Sequence, residues 1–119
     1  MVLVDTSVWV DHLRFGNPRL VSLLEDEDVV CHPFIIGELA CGSLPQRTET
    51  LGRLHDLPRT GIAGQGEVMS LIESHRLMGI GLGFIDVHLL AAARLNGIPL
   101  WTRDRRLKKA AAKLDVLFL

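Results

Sequence analysis

Two acidic residues of this chain directly follow apolar runs that have the pattern of buried strands. Asp5 comes after MVLV, and Asp104 comes after IPLWTR. In parallel α/β sheets, ligand sites lie beyond the carboxyl ends of the strands, which makes both acids candidates for a site. Each also precedes a predicted helix, where capping is an alternative role worth about 1 kcal/mol. The two roles are left open at this point.

Two further acids lie within predicted helices. In PFIIGELACG, the residues three and four positions from Glu38 place its carboxylate on an apolar stripe. A carboxylate buried there must be paired, protonated or bound to a metal, so a buried salt bridge and a metal site are both open. Asp86 lies in the first turn of FIDVHLLAAARL, where the helix dipole by itself favours an acid.

Four carboxylates gathered at one end of a sheet would repel one another unless they were protonated or bound a cation. Oxygen ligands without Cys or His partners suit Mg²⁺ or Mn²⁺. Such ions bridge phosphates and activate water, which is the chemistry of a metal-dependent phosphodiesterase or nuclease. None of the five histidines has metal-ligand spacing, and this disfavours a ribonuclease built on paired histidines.

The segments that must position these acids alternate between short strands and longer helices. Strands are predicted at residues 2–4, 29–31, 98–101 and 116–119. Helices are predicted at residues 8–13, 20–24, 51–57 and 68–77. A further helix begins at Pro33 and is closed by Gly42, and another begins at Pro45. The segment FIDVHLLAAARLNG is predicted to be helical up to Asn96 and to end at Gly97. This alternation favours an α/β fold with a mainly parallel sheet. The glycine-rich GIAGQG and GIGLG are interpreted as loops, because neither follows a strand and opens a helix.

Length and composition predict one soluble, cytoplasmic domain spanning residues 1–119. The chain is 48% hydrophobic and 23% charged, with no apolar stretch near the roughly 20 residues that cross a membrane. Its N-terminus lacks the pattern of a signal peptide. Cys31 and Cys41 form no motif and are expected to be reduced, buried thiols.

Charge is spread unevenly along the chain. The formal net charge of −1 argues against a generically basic nucleic-acid binder. Positive residues nevertheless crowd near the C-terminus, at Arg103, Arg105, Arg106, Lys108 and Lys109. A solvated helix face and a phosphate-binding patch are both compatible with this run.

Four blocks together resemble the signature of PIN-domain ribonucleases, and most of all the VapC toxins of bacterial and archaeal toxin–antitoxin pairs. They are LVDTSVWVDHLR, the GEL segment at residues 37–39, GFIDVHLLAAARL and LWTRDRRL. The resemblance implies an α/β/α sandwich around a parallel, five-stranded sheet. It also implies an Mg²⁺- or Mn²⁺-dependent endoribonuclease that leaves a 5′-phosphate and a 3′-hydroxyl.

The resemblance also assigns roles to individual residues. It maps the catalytic, metal-binding acids onto Asp5, Glu38, Asp86 and Asp104, with Thr102 and Ser7 as supporting hydroxyls. Many relatives have an aromatic or acidic residue just after the fourth acid, whereas arginines follow it here. Arg103, Arg105 and Arg106 are therefore candidates to contact an RNA backbone.

The resemblance further predicts partners. These are a homodimer, a cognate VapB-type antitoxin and operator DNA contacted only through that antitoxin, with no membrane. Two alternatives belong to other classes: a catalytically silent RNA- or protein-binding relative, and a phosphoacceptor signalling domain. The four retained acids argue against the first. The second needs an acidic neighbour for Asp5 and a lysine after the last strand, and the sequence has neither.

Overall fold

The computed structural model describes residues 1–119 as three short strands and seven helices. The strands are β1 (Val2–Val4), β2 (Val29–Val30) and β3 (Leu100–Trp101). The helices are α1 (Thr6–Phe15), α2 (Pro18–Glu25), α3 (Pro33–Ala40), α4 (Arg47–Asp56), α5 (Gln65–His75), α6 (Phe84–Asn96) and α7 (Arg105–Lys113). This is the α/β fold that the alternating pattern predicts.

The three strands form one parallel sheet in the order β2-β1-β3. All three residues of the central strand β1 are buried, so both of its faces are covered, as in parallel sheets generally. Because the strands run in the same direction, the residues that follow β1 and β3 meet at one edge of the sheet. That edge carries Asp5 and Thr102.

The sheet has three strands rather than the predicted five. The outer positions hold single parallel bridges, in which Arg59 pairs with Cys31 and Leu117 pairs with Leu100. The predicted strand at residues 116–119 is therefore reduced to one bridged residue. On the outer side of β2, Pro58 precedes the bridged Arg59 and has no backbone N–H to donate. This limits how far the segment at residues 58–59 can extend the ladder of hydrogen bonds.

Most helix boundaries follow local signals in the sequence. Gly97 ends α6 in the left-handed conformation, as predicted. Pro33 opens α3, and the ring Nδ1 of His32 caps it by accepting from the Phe34 backbone N–H at 2.9 Å. Two predicted boundaries are wrong: α3 ends at Ala40 rather than Gly42, and α4 begins at Arg47 rather than Pro45.

A single core of 26 buried hydrophobic residues joins the sheet to the helices. On α3 the buried face consists of Ile35, Ile36 and Leu39, whereas Glu38 is exposed. The prediction that Glu38 lies on a buried apolar stripe is therefore wrong. Cys31 is buried as expected, but Cys41 is exposed. None of the helices has the length and apolarity that crossing a membrane requires.

Candidate active site at the carboxyl edge of the sheet

The buried carboxylate of Asp5 is the centre of this edge. Its Oδ2 accepts hydrogen bonds from Ser7 Oγ at 2.7 Å and from Thr102 Oγ1 at 2.8 Å, with the Ser7 backbone N–H at 3.4 Å. Asp5 is only 6% exposed, so these donors replace water around its charge. Its other oxygen, Oδ1, has no hydrogen-bond partner in the protein. The carboxylate is thus fixed by one oxygen and free at the other.

The same two hydroxyls attach the end of β3 to the start of α1. Thr102 Oγ1 accepts from the Asp104 backbone N–H at 3.0 Å, and Ser7 Oγ accepts from the Arg103 backbone N–H at 2.9 Å. Each hydroxyl has one proton, and each gives it to Asp5. The 3.3 Å contact between the two hydroxyl oxygens therefore lacks a proton of its own. Ser7 and Thr102 hold Asp5 and position Asp104, as supporting residues would.

Three of the acids also cap helices: Asp5 caps α1 through the Ser7 backbone N–H, and Asp86 and Asp104 cap α6 and α7. Asp104 is the N-cap of α7, and its Oδ1 accepts from the Leu107 backbone N–H at 2.9 Å. Asp86 occupies the third position of α6, and its Oδ2 accepts from the Gly83 backbone N–H at 2.9 Å. The capping role considered for Asp5 and Asp104 is confirmed for both, and Asp86 lies in the first turn of its helix as predicted. Capping uses one oxygen of each carboxylate, so it leaves the other available.

Glu38 is connected to the site by a hydrogen bond with Thr6, a residue that was not among the predicted supporting residues. Its Oε1 accepts from Thr6 Oγ1 at 2.8 Å, which ties α3 to the first residue of α1. No salt bridge holds Glu38, so the buried ion pair considered as its alternative role is absent. The position of Thr6 directly after Asp5 is the one sequence signal for its role.

The site is electrostatically unbalanced. Burial raises the pKa of Asp86, the Gly83 N–H lowers it, and the nearby charges of Asp5 and Asp104 raise it. The ion pairs of the chain are Met1–Asp28, Arg53–Glu49 and Arg103–Asp11, and none involves these three acids or Glu38. The folded chain therefore concentrates negative charge at this edge without supplying a cationic side chain to offset it.

This donor set fits a hard divalent cation. Each of the four acids has one oxygen in a hydrogen bond and a second without a partner, and all the donors are carboxylates. With the side chains as they stand, no three His, Cys, Asp or Glu residues are close enough together to form a cage. The structure thus brings the acids to one edge without pre-forming the coordination shell.

The three arginines that follow β3 separate into two groups. Arg103 makes an ion pair with Asp11 at 3.3 Å. Arg105 and Arg106 lie on the first turn of α7 and line an open groove beside it. Two of the three candidates for RNA contact therefore remain free of carboxylate partners.

Comparison with known proteins agrees with this architecture. The family model for the PIN domain matches residues 2–113. The chain is 48% identical over 117 residues to Ribonuclease VapC32 of Mycobacterium tuberculosis strains CDC 1551 / Oshkosh and ATCC 25618 / H37Rv, covering 98% of this chain and 94% of each relative.

Two solved structures share the fold. FitAB bound to an IR36 DNA fragment matches with a TM-score of 0.69 and 18% identity, covering 100% of this chain and 94% of that one. PAE2754 from Pyrobaculum aerophilum matches with a TM-score of 0.69 and 19% identity, covering 98% and 87%. The resemblance found in the sequence is confirmed: the chain belongs to the PIN-domain family, and its sequence groups with the VapC-type proteins.

Proposed function

We propose that this chain is an endoribonuclease that depends on Mg²⁺ or Mn²⁺ and acts as the toxin of a VapBC-type pair. The observation that supports it most directly is the set of four acids at one sheet edge, each with a free carboxylate oxygen and none paired with a cation. The relatives VapC32 are named ribonucleases, which supports RNA as the substrate.

Asp5, Glu38, Asp86 and Asp104 would hold the ion, which when bound activates water and stabilises charge on the phosphodiester. Asp5 is oriented by its two hydroxyl donors. Asp86 is the acid whose charge the fold disfavours most clearly, so a nearby cation offsets repulsion that the protein leaves uncompensated. The Glu38 carboxylate is exposed, and its one hydrogen bond comes from Thr6. It would therefore be free to move towards the metal ion when RNA binds.

The proposal extends to partners and location. A VapB-type antitoxin silences the enzyme, the active form is a homodimer, and operator DNA is contacted only through the antitoxin. The enzyme acts on RNA in the cytoplasm. These assignments rest on membership of the family and on the name that its relatives carry.

The test compares RNA cleavage by the antitoxin-free protein, Asp5→Asn and a control. The wild type should cleave only with Mg²⁺ or Mn²⁺. Asp5→Asn should lose at least about 100-fold, since even residues that only orient metal ligands are worth 10- to 100-fold. Asp56→Asn, the same exchange at an exposed position of α4, should keep full activity. Undiminished cleavage in EDTA, or by Asp5→Asn, contradicts the proposal.

A further inference from the structure

An open groove of about 810 Å³ beside α7 is lined by cationic side chains and contains no carboxylate. Its charged residues are Arg76, Arg105, Arg106, Lys109 and Lys113, with Ile80 and Ala110 completing the lining. Arg76 follows α5, so the groove is built by two helices and the loop between α5 and α6. A chain of net charge −1 therefore gathers five positive charges on one surface.

These charges are not neutralised within the chain. None of the five residues takes part in its ion pairs. Lys113 Nζ donates to the His75 backbone carbonyl at 2.6 Å, which fixes the far end of α7 against the end of α5 but adds no negative charge. Like charges held this close repel one another, and a polyanion in the groove would relieve that repulsion.

The side chain of Arg106 packs against one glycine of the loop between α5 and α6. A Cβ built on Gly81 would lie 2.6 Å from Arg106 Cδ and 2.8 Å from Nε, so the arginine side chain lies directly across the glycine. Gly81 has φ +87°, a conformation that glycine adopts without strain. This contact places Arg106 between the loop that leads to Asp86 and the helix that Asp104 caps. The guanidinium thus lies against this loop and pairs with no carboxylate.

We propose that this groove carries the RNA backbone on one side of the phosphodiester to be cut, an inference that rests on the function proposed above. The cations of α7 from Arg105 to Lys113 span about 12 Å of helix, which matches about three phosphates of a stacked strand. RNA is favoured over an acidic peptide because the groove starts directly after Asp104, where the substrate of the proposed reaction must lie.

The test measures binding of a 12-nucleotide oligouridylate in EDTA, with no turnover, over a range of salt concentrations. Lys109→Gln should weaken RNA affinity about 3- to 10-fold and reduce the salt slope by about 0.7, the value for one lost contact to a single-stranded phosphate. Lys108→Gln removes the same charge from the neighbouring exposed residue of α7, which does not line the groove. Its RNA affinity should stay within about twofold of wild type.

Equal RNA affinities and salt slopes for the two variants would overturn the proposal. So would a Lys109→Gln protein that binds purified antitoxin more weakly but RNA as before, since the groove would then serve an acidic protein. The catalytic proposal is judged separately by cleavage with added metal. A wild type that binds RNA through the groove but does not cleave it would contradict that proposal alone.

Discussion

The Asp86 carboxylate is destabilised in the folded chain by its surroundings. Burial raises its pKa, and the charges of Asp5 and Asp104 act in the same direction against the Gly83 N–H. A raised pKa means that the folded state binds more protons than the unfolded state. The associated stability is present at acidic pH and is lost as the pH rises through the folded pKa. At neutral pH the charged form of Asp86 therefore weakens the fold.

Asp86→Asn is expected to stabilise the metal-free protein while abolishing cleavage. In EDTA at pH 7, its free energy of unfolding should rise by up to about 1 kcal/mol, because Asp86 is partly exposed and water screens part of the repulsion. The gain should shrink at pH 4. Urea unfolding at both pH values measures it. Glu67→Gln is the control, because Glu67 bonds Gly64 at the start of α5 with the same geometry but stands apart from the acids. A similar gain in both variants would show that repulsion at the site is not the cause.

His32 makes the stability of this chain sensitive to acid. Burial, and then the charge of His88, lower the pKa of His32 to about 4. Its Nδ1 accepts from Phe34, so the neutral ring carries its proton on Nε2, which is buried without a partner. Adding a second proton would place N–H against N–H at the start of α3. Stability is therefore complete above pH 6.5 and is lost as the pH falls towards 4.

Exchanging His32 for asparagine should flatten this acid dependence. Asparagine keeps a capping acceptor at the start of α3 but does not titrate. Between pH 7 and pH 4, the wild type should lose about 2–3 kcal/mol more unfolding free energy than His32→Asn, measured by urea unfolding at each pH. The exposed His55→Asn variant should follow the wild type. Parallel pH curves for all three proteins would rule out His32 as the cause.

At the scale of elements, the loop between α5 and α6 contains two glycines with positive φ and different surroundings. Gly79 has φ +70° with open space around it, whereas Gly81 faces Arg106. Alanine at either position should reduce the unfolding free energy by about 1 kcal/mol, because both backbones are left-handed. Arg106 is flexible enough to move aside, so folding should not distinguish the two variants further.

RNA affinity should distinguish them. Gly81→Ala displaces Arg106 from the groove and is expected to weaken oligouridylate binding about 3-fold or more, as removal of one phosphate contact does. Gly79→Ala should bind like the wild type. The binding assay in EDTA described above measures both. If the two variants bind RNA equally well, the contact between Gly81 and Arg106 has no part in binding.

Elements with strong local signals were predictable, and those that depend on distant contacts were not. The strand before Asp5 and the helix ended by Gly97 follow from an apolar run and from a residue suited to positive φ. The helix with Glu38 has only eight residues and apolar side chains on several sides, so periodicity did not reveal which face is buried. On each outer side of the sheet, the pairing beyond β2 or β3 is a single bridge, which no local sequence pattern predicts.

At the scale of the whole molecule, the candidate site joins parts of the chain that are far apart in sequence. The hydrogen bond from Thr102 to Asp5 spans 97 residues, and that from Thr6 to Glu38 spans 32. The sequence supplied the four acids and both supporting hydroxyls through the order of their motifs, and their metal-binding roles stay predictions. The hydrogen bond between Thr6 and Glu38, and the position of Arg76 beside α7, could not be predicted from the sequence. Both depend on how the helices pack.

The bond between Thr102 and Asp5 also has a consequence for synthesis. The strand before Asp5 is synthesised well before the hydroxyl that fixes its carboxylate and the helix that Asp104 caps. A nascent chain, or one cut short by premature termination before α7, would carry Asp5, Glu38 and Asp86 without the element that completes the site. Such products should be inert towards RNA, so the proposed cleavage would begin only after α7 has been made.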